Sequence, residues 1–192
     1  MKDRVVAFFA DLDATLAPHA VGRTLDLYHI GRSSLWWEIS GGVATSDVDV
    51  VWPDGPSDLT ELALTEFGDG TAKARLHDLY LQLVPGALPP LSGGARRRAR
   101  VADGPWTVLR ICYLEPNDLA VTKLTRFWVK DRADIRLLAD LGLLDADELE
   151  KRLDLAYPYH VDAEGDPIWP RDKAFANLRT VQKYLRGEVR EF

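Results

Sequence analysis

The segment Asp47-Val48-Asp49-Val50-Val51-Trp52 alternates carboxylates with apolar side chains and stops before Pro53. Successive side chains of a β-strand point to opposite faces, so the pattern predicts a strand with one buried face and two aspartates on the other. Two like charges at this spacing repel each other unless a divalent cation lies between them. Oxygen ligands suit Mg²⁺ or Mn²⁺. We therefore expect Asp47 and Asp49 to bind a metal ion; the alternative is a solvent-facing edge strand.

A glycine-serine turn, Gly31-Arg32-Ser33-Ser34, precedes this strand in the chain. We expect a short strand over Leu25–Ile30 before the turn and a serine-capped helix over Ser33–Ile39 after it. Backbone N–H groups and hydroxyls at a helix N-terminus can hold a triphosphate. Taken alone, an ordinary strand-to-helix turn explains these residues equally well. With the Asp-x-Asp strand downstream, they predict a phosphate cradle beside a metal pair, the two halves of a nucleotidyl transfer site.

Gly31, Ser33 or Ser34 and the pair Asp47-x-Asp49 resemble the first motif of the DNA polymerase β-like nucleotidyltransferase superfamily. Arg32 departs from that motif, in which a second small residue is usual at this position. The stretch of chain between the turn and Asp47 is also long for that motif. The resemblance also implies a third carboxylate on a following strand. The candidates are Asp78, at the start of a predicted strand over 79–84, and the position that Gln82 occupies on the same face.

A second segment, Asp118-Leu-Ala-Val-Thr-Lys123-Leu-Thr-Arg126 continuing through 130–135, resembles the helical motif of AbiEii/MenT-type toxins and of the DUF6036 group. The resemblance implies that Lys123 contacts the phosphates of an NTP and that Asp131 or Asp134 assists the site. It also implies an acceptor hydroxyl on a tRNA end or a protein side chain, and a cognate antitoxin as a partner.

This second segment reads as one continuous helix from Asn117 as the N-cap to about Leu141, closed by Gly142. At about 100° per residue, Asp131 falls in the middle of the apolar face of such a helix. A carboxylate in that position should be paired or functional, because leaving it buried and unpaired is expensive. Both interpretations stay open: a structural ion pair, or a role in the nucleotide site.

The remaining patterns predict an α/β (α+β) fold, in which a small mixed sheet of polymerase β-type nucleotidyltransferase fold precedes a helical C-terminal part. Residues 1–142 would form the core, with an N-terminal helix over 2–17, and residues 143–192 a helical extension of the same domain. The other predicted elements are helices over 59–66, 145–155 and 173–186, and strands over 79–84 and 106–114.

Composition excludes several classes of protein. Cys112 is the single cysteine and the four histidines are scattered, which argues against a zinc cluster. No apolar run approaches the length of a membrane span, and the N-terminal segment lacks a signal pattern, so we expect a cytoplasmic protein with no membrane partner. The net charge of −6 disfavours coating of nucleic acid by charge alone. The local basic run at 96–100 is either a solvated loop or a grip for RNA.

Two alternatives to a nucleotidyltransferase remain open. The segment Asp11-Leu-Asp13-Ala-Thr15 matches the opening motif of haloacid dehalogenase-like phosphatases, in which Asp11 would be the nucleophile and Asp13 the general acid. That reading requires a buried strand before Asp11, whereas the apolar spacing there is helical. The other alternative is a non-catalytic nucleotide-binding or antitoxin-like interaction module. The main expectation is metal-dependent transfer of an NMP group from an NTP to an acceptor hydroxyl.

Overall fold

Five strands form one mixed sheet in the computed structural model, which describes residues 2–39, 44–84, 91–157 and 170–192. The strands are β1 (Leu25–His29), β2 (Asp47–Val51), β3 (Tyr80–Leu83), β4 (Arg100–Val101) and β5 (Leu109–Tyr113), in the spatial order β3-β2-β1-β5-β4. β1 runs antiparallel to β2 and parallel to β5, β2 runs parallel to β3, and β4 runs antiparallel to β5. The predicted α/β fold class is confirmed.

The described residues also contain eight α-helices and one short 3-10 helix, Ser33–Trp37. The α-helices are α1 (Lys2–Leu16), α2 (Ser57–Phe67), α3 (Ala72–His77), α4 (Ala95–Arg98), α5 (Pro116–Leu124), α6 (Val129–Asp140), α7 (Ala146–Ala156) and α8 (Arg171–Leu185). No helix among the described residues has the length and apolar character needed to cross a bilayer.

The chain divides into two compact units, one of residues 1–86 with 99–114 and one of residues 87–98 with 115–192. The sequence-based prediction placed the boundary between the core and its C-terminal helical extension at residue 142. The first unit contains the sheet and α1 to α3. Helix α1 buries an apolar stripe at three- and four-residue spacing, as its sequence predicts. The buried residues of that stripe are Val5, Phe8, Phe9, Leu12 and Leu16.

The second unit is helical, and α5, α6, α7 and α8 share one apolar core. Every residue of α5 is buried, including the polar residues Asn117, Asp118, Thr122 and Lys123. The N-cap of α7 is Asp145, whose side chain accepts hydrogen bonds from the N–H groups of Asp147 and Glu148 at 3.0 and 2.8 Å. The helix predicted over 145–155 is confirmed, with Asp145 as its N-cap.

The prediction of one continuous helix over 118–141 is wrong. Helix α5 ends at Leu124 and α6 begins at Val129, with Phe127 between them at φ +54°. The Trp128 N–H at the start of α6 donates to Asp131 Oδ2 at 3.1 Å. Asp131 therefore lies in the first turn of a second helix and caps it, and it remains on the buried face of that helix with Ile135 and Leu138.

Two smaller predictions also need correction. The segment after Gly31 is a 3-10 helix whose N-cap is Arg32, with no side-chain cap, so a serine does not cap it. Asp78 does not start the third strand. It lies at the C-terminal end of α3 with φ +52°, two residues before β3 begins at Tyr80.

Candidate active site

Asp47 and Asp49 project from the same face of β2 and are half-buried, while Val48 and Val50 point into the core on the other face. The Thr45 hydroxyl donates a hydrogen bond to Asp47 Oδ1. This is the arrangement that the alternating sequence predicts, because side chains two residues apart on a strand share a face. The strand thus holds two carboxylates side by side on an accessible surface.

The glycine turn lies directly against this carboxylate pair. The Ile30 N–H donates to the Asp49 carbonyl at 2.8 Å, which ties the residue after β1 to β2. Gly31 follows at φ +71°, a conformation that residues with a Cβ rarely adopt. A Cβ added to Gly31 would also overlap the Asp49 carboxylate. Glycine is therefore required here for two reasons, the backbone conformation and the close approach to Asp49.

Both serine hydroxyls of the turn form bonds within the chain. Ser34 Oγ donates to the Gly31 carbonyl at 2.8 Å, and Ser33 Oγ lies 2.8 Å from His29 Nε2. Both serines are buried. The phosphate contacts predicted for Gly31 to Ser34 stay a prediction, in which the backbone N–H groups and the Arg32 side chain would be the main donors.

His29, the last residue of β1, is fully buried between aromatic rings and its second ring nitrogen also has a partner. Trp37 Nε1 donates to His29 Nδ1 at 2.8 Å. The rings of Phe9 and Trp37 contact the imidazole edge to face, with centroids at 5.3 and 6.2 Å. Burial lowers the pKa of His29 to about 3, so the ring is neutral at physiological pH. A histidine next to a glycine turn is visible in the sequence, but its partners are not.

The neighbouring strand β3 adds two polar side chains to the carboxylate face. Tyr80 is in register with Asp47, and Gln82 with Asp49. Burial raises the pKa of Tyr80, and the negative charges of Asp47, Asp69 and Asp49 raise it further. Sequence reasoning missed Tyr80, although its place at the start of a strand parallel to β2 could have indicated it.

The third carboxylate expected of a two-metal site is absent from this position of β3. Gln82 occupies it, and Asp78 instead forms an ion pair with Arg4 at 2.8 Å. Within the described ranges, no group of three or more His, Cys, Asp or Glu side chains could hold a metal ion. The two carboxylates of β2, with the Gln82 amide oxygen on the adjacent strand, are nevertheless hard oxygen donors. This donor set fits Mg²⁺ or Mn²⁺ and does not fit a soft metal.

The residues of the second motif belong to the second unit and are engaged in ion pairs. Lys123 Nζ donates to Asp134 Oδ2 at 2.9 Å, and the two side chains are only 5% and 2% exposed. Asp131 accepts from Arg126 at 2.9 Å in addition to capping α6. The structural ion pair that the sequence left open for Asp131 is present, with Arg126 as the partner. The roles of Lys123, Asp131 and Asp134 toward a nucleotide stay predictions.

The basic run at 96–100 is partly committed to intramolecular pairs. Arg98 makes a two-pronged contact with buried Asp118, at 2.9 Å from Nε and 2.8 Å from Nη2. Arg100 pairs with Glu38 at 2.8 Å. Arg96 and Arg97 are exposed.

The phosphatase alternative is excluded because Asp11 and Asp13 lie on α1 and not at the end of a buried strand. Asp13 accepts hydrogen bonds from the backbone N–H groups of Thr107, Val108 and Leu109 and from the Thr107 hydroxyl, at 2.7 to 2.9 Å. Asp11 contacts Lys73 and His77. Both aspartates thus connect elements of the first unit.

Comparison with known proteins identifies the family of the chain. A family model, DUF6036, described as a nucleotidyltransferase of unknown function, matches residues 7–166. No curated protein and no solved structure matches the chain. The match covers the glycine turn, the Asp-x-Asp strand and the Lys123 to Asp134 segment together.

Proposed function

Since the chain belongs to the DUF6036 family of nucleotidyltransferases, we propose that it transfers an NMP group from an NTP to an acceptor hydroxyl with Mg²⁺ or Mn²⁺ as cofactor. One observation carries this proposal: Gly31 lies so close to Asp49 that a side chain at residue 31 would overlap the carboxylate. A turn able to bind phosphate and a pair able to bind a metal are therefore adjacent.

In this reaction the acceptor hydroxyl releases its proton to solvent and its oxygen forms a bond to the α-phosphorus, while the bond from that phosphorus to the bridging oxygen breaks and pyrophosphate leaves. Asp47 and Asp49 would hold the divalent cation, which supplies charge stabilisation at the phosphate oxygens when bound. The backbone around Gly31 and the Arg32 guanidinium would hold the β- and γ-phosphates. Positioning and electrostatic stabilisation account for most of the catalysis in such a reaction.

Lys123 would neutralise phosphate charge, with Asp134 assisting, whereas the contacts of Asp131 to the Trp128 N–H and to Arg126 favour a structural role. Resemblance to the AbiEii/MenT-type toxins supports the role of Lys123, as does the burial of an ammonium group on an all-buried helix. A buried lysine is costly to retain unless it is paired. Asp134 meets that need and would orient the ammonium group for a phosphate.

The same resemblance supports a tRNA end or a protein side chain as the acceptor, and an antitoxin as a partner. Arg96 and Arg97 favour RNA, because adjacent exposed arginines can contact a phosphate backbone. Replacing both with alanine should reduce the slope of tRNA affinity against salt concentration by about 1 to 2. An unchanged slope would show that Arg96 and Arg97 do not contact the RNA backbone.

The function is tested by incubating the protein with Mg²⁺, each of the four α-labelled NTPs, and total tRNA or cell extract. We expect label in RNA or protein with the unchanged chain and none with Asp49→Asn. Asp26→Asn is a matched control, since Asp26 lies on the same face of the adjacent strand in a half-exposed pair with Arg110. Asp26→Asn should retain transfer.

Two results would contradict the proposal. Equal labelling by Asp49→Asn and by the unchanged chain would show that transfer does not depend on the carboxylate pair. Absence of label under every condition, with metal-dependent NTP binding intact, would identify a non-catalytic nucleotide-binding module, for which Gln82 in place of a third carboxylate is the favouring observation.

A further inference from the structure

The buried pair His29 and Ser33 has no role in the transfer described above. Their side chains lie 2.8 Å apart, four residues from each other, and the bond between them spans Gly31. His29 ends β1 and Ser33 begins the 3-10 helix. One side-chain hydrogen bond thus joins the two elements that the glycine turn connects.

The direction of this hydrogen bond follows from its other partner. The Trp37 indole N–H can only donate, so His29 Nδ1 must accept. The ring is neutral, so its single N–H is at Nε2 and donates to Ser33 Oγ. Trp37 therefore selects the tautomer that holds Ser33.

The Gly31 turn is consequently fixed on both sides. On one side the Ile30 N–H is bonded to the Asp49 carbonyl, and on the other Ser33 is bonded to His29. Ser34 adds a bond from its hydroxyl to the Gly31 carbonyl at 2.8 Å. Removing the Ser33 bond leaves the helix side of the turn held by fewer contacts, next to the carboxylate pair.

We propose that His29 is a positioning residue for nucleotide binding, which acts through Ser33 to hold the Gly31 turn in place against Asp49. This inference rests on the proposed function of the site. His29 itself does not touch the nucleotide, because it is fully enclosed in the chain. Its contribution is to preorganise the backbone that binds the phosphates.

Three variants test this role. His29→Asn places an amide oxygen near Nδ1 for Trp37 but withdraws the donor from Ser33. His29→Gln reaches toward Ser33 with an amide N–H. Ser33→Ala removes the acceptor and spares the histidine. Asp13→Asn is the control, since it weakens the same unit through contacts to residues 107–109 and leaves the turn unchanged.

For each variant, the Kd for NTP in Mg²⁺, the KM, the kcat and the melting temperature are measured. We expect His29→Asn and Ser33→Ala each to raise Kd and KM about tenfold with kcat changed less than about twofold, as expected when binding alone is lost. His29→Gln should restore most of the affinity. The double variant His29→Asn with Ser33→Ala should be no worse than either single variant.

An unchanged Kd in Ser33→Ala would overturn the proposal even if His29→Asn fails to fold. A tenfold loss in Asp13→Asn would do the same, since general destabilisation would then explain the effect. If the unchanged chain binds no NTP at all, the proposed function of the site fails together with this inference. If the chain binds NTP but transfers no NMP group, the Kd values of the variants alone still test the role of His29.

Discussion

The aspartates of the two units have different surroundings. In the first unit, Asp47 and Asp49 lie half-buried on a sheet face, beside a glycine turn and a tyrosine. In the second, Asp131 and Asp134 are buried, and each receives a hydrogen bond from a cationic side chain. Asp131 also caps a helix. Side chains of the same chemical type therefore present an accessible pair of oxygens in one unit and hold helices together in the other.

We expect this difference to separate residues that would bind a ligand from residues that stabilise the fold. A carboxylate whose oxygens are occupied by backbone N–H groups and a guanidinium has little capacity left for a metal ion. A pair of carboxylates on one strand face is electrostatically unfavourable until a cation binds. Substitutions in the first set should therefore reduce activity more than stability, and those in the second set should do the reverse.

The largest effect is expected from Gly31→Ala. A methyl group at φ +71° overlaps the Asp49 carboxylate, so the turn and β2 must separate. We expect transfer to fall about a thousandfold, because both phosphate positioning and the metal pair are disturbed. Gly22→Ala is a matched control at φ +71° in the same unit, with nothing within 4 Å of the added Cβ.

Gly22→Ala isolates the backbone penalty, about 1 to 2 kcal/mol for an alanine in this conformation. Steady-state transfer rates and chemical denaturation of both variants separate the two effects. Equal activity of Gly31→Ala and Gly22→Ala would mean that the close approach to Asp49 has no catalytic consequence.

The next largest effect is expected from Asp134→Asn. This change leaves Lys123 buried without its charge partner, which should lower the free energy of unfolding by about 3 kcal/mol. Asp26→Asn, which breaks a half-exposed pair, should cost less than about 1 kcal/mol. Urea denaturation measures both.

The double variant Lys123→Met with Asp134→Leu distinguishes a structural pair from a functional one. It replaces both charges with apolar groups and should recover most of the lost stability. If Lys123 neutralises phosphate, transfer stays impaired in this stable double variant. Full transfer would restrict the pair to a structural role.

A smaller effect is expected from Asp131→Ala. The variant loses the cap on α6 and the contact to Arg126, which should cost about 1 to 2 kcal/mol in unfolding free energy. Transfer measured well below the melting temperature should change less than about twofold, in line with a purely structural role. Lys130→Ala, an exposed neighbour, is the control. A large loss of transfer at unchanged stability would instead make Asp131 part of the active site.

Local patterns predicted the elements that form the site. The alternation at 47–52 identified β2, and the glycine before it identified the turn, because both depend on neighbours in sequence. The break between α5 and α6 could not be predicted in this way. The apolar spacing continues through Leu124, Phe127 and Ile135, and no glycine or proline interrupts it.

Tertiary contacts account for that break. Phe127 adopts a positive φ and stacks on Phe192 at 5.7 Å between ring centroids, a contact 65 residues away in sequence. Trp128 is 67% exposed, and the Arg126 guanidinium lies over its ring at 5.2 Å from the centroid. The residues that donate hydrogen bonds to Asp13 are similarly distant, 94 to 96 residues away in sequence.

The smallest expected effect is an acid-dependent loss of stability at Asp13, a structural carboxylate in the unit that carries the site. Burial alone would raise the pKa of Asp13, but hydrogen bonds from Leu109, Thr107 and Val108 outweigh it and hold the pKa below the usual 3.8. A depressed pKa in the folded state stabilises the protein above the unfolded-state pKa, and this contribution is lost as the pH falls through the folded value. Thermal melts of the unchanged chain and Asp13→Asn should therefore differ most at neutral pH and converge below pH about 4. If the two melting temperatures differ by the same amount at pH 7 and at pH 3, the ionised carboxylate is not what holds residues 107–109. The division between ligand-binding and fold-stabilising aspartates would then lose its support at this residue.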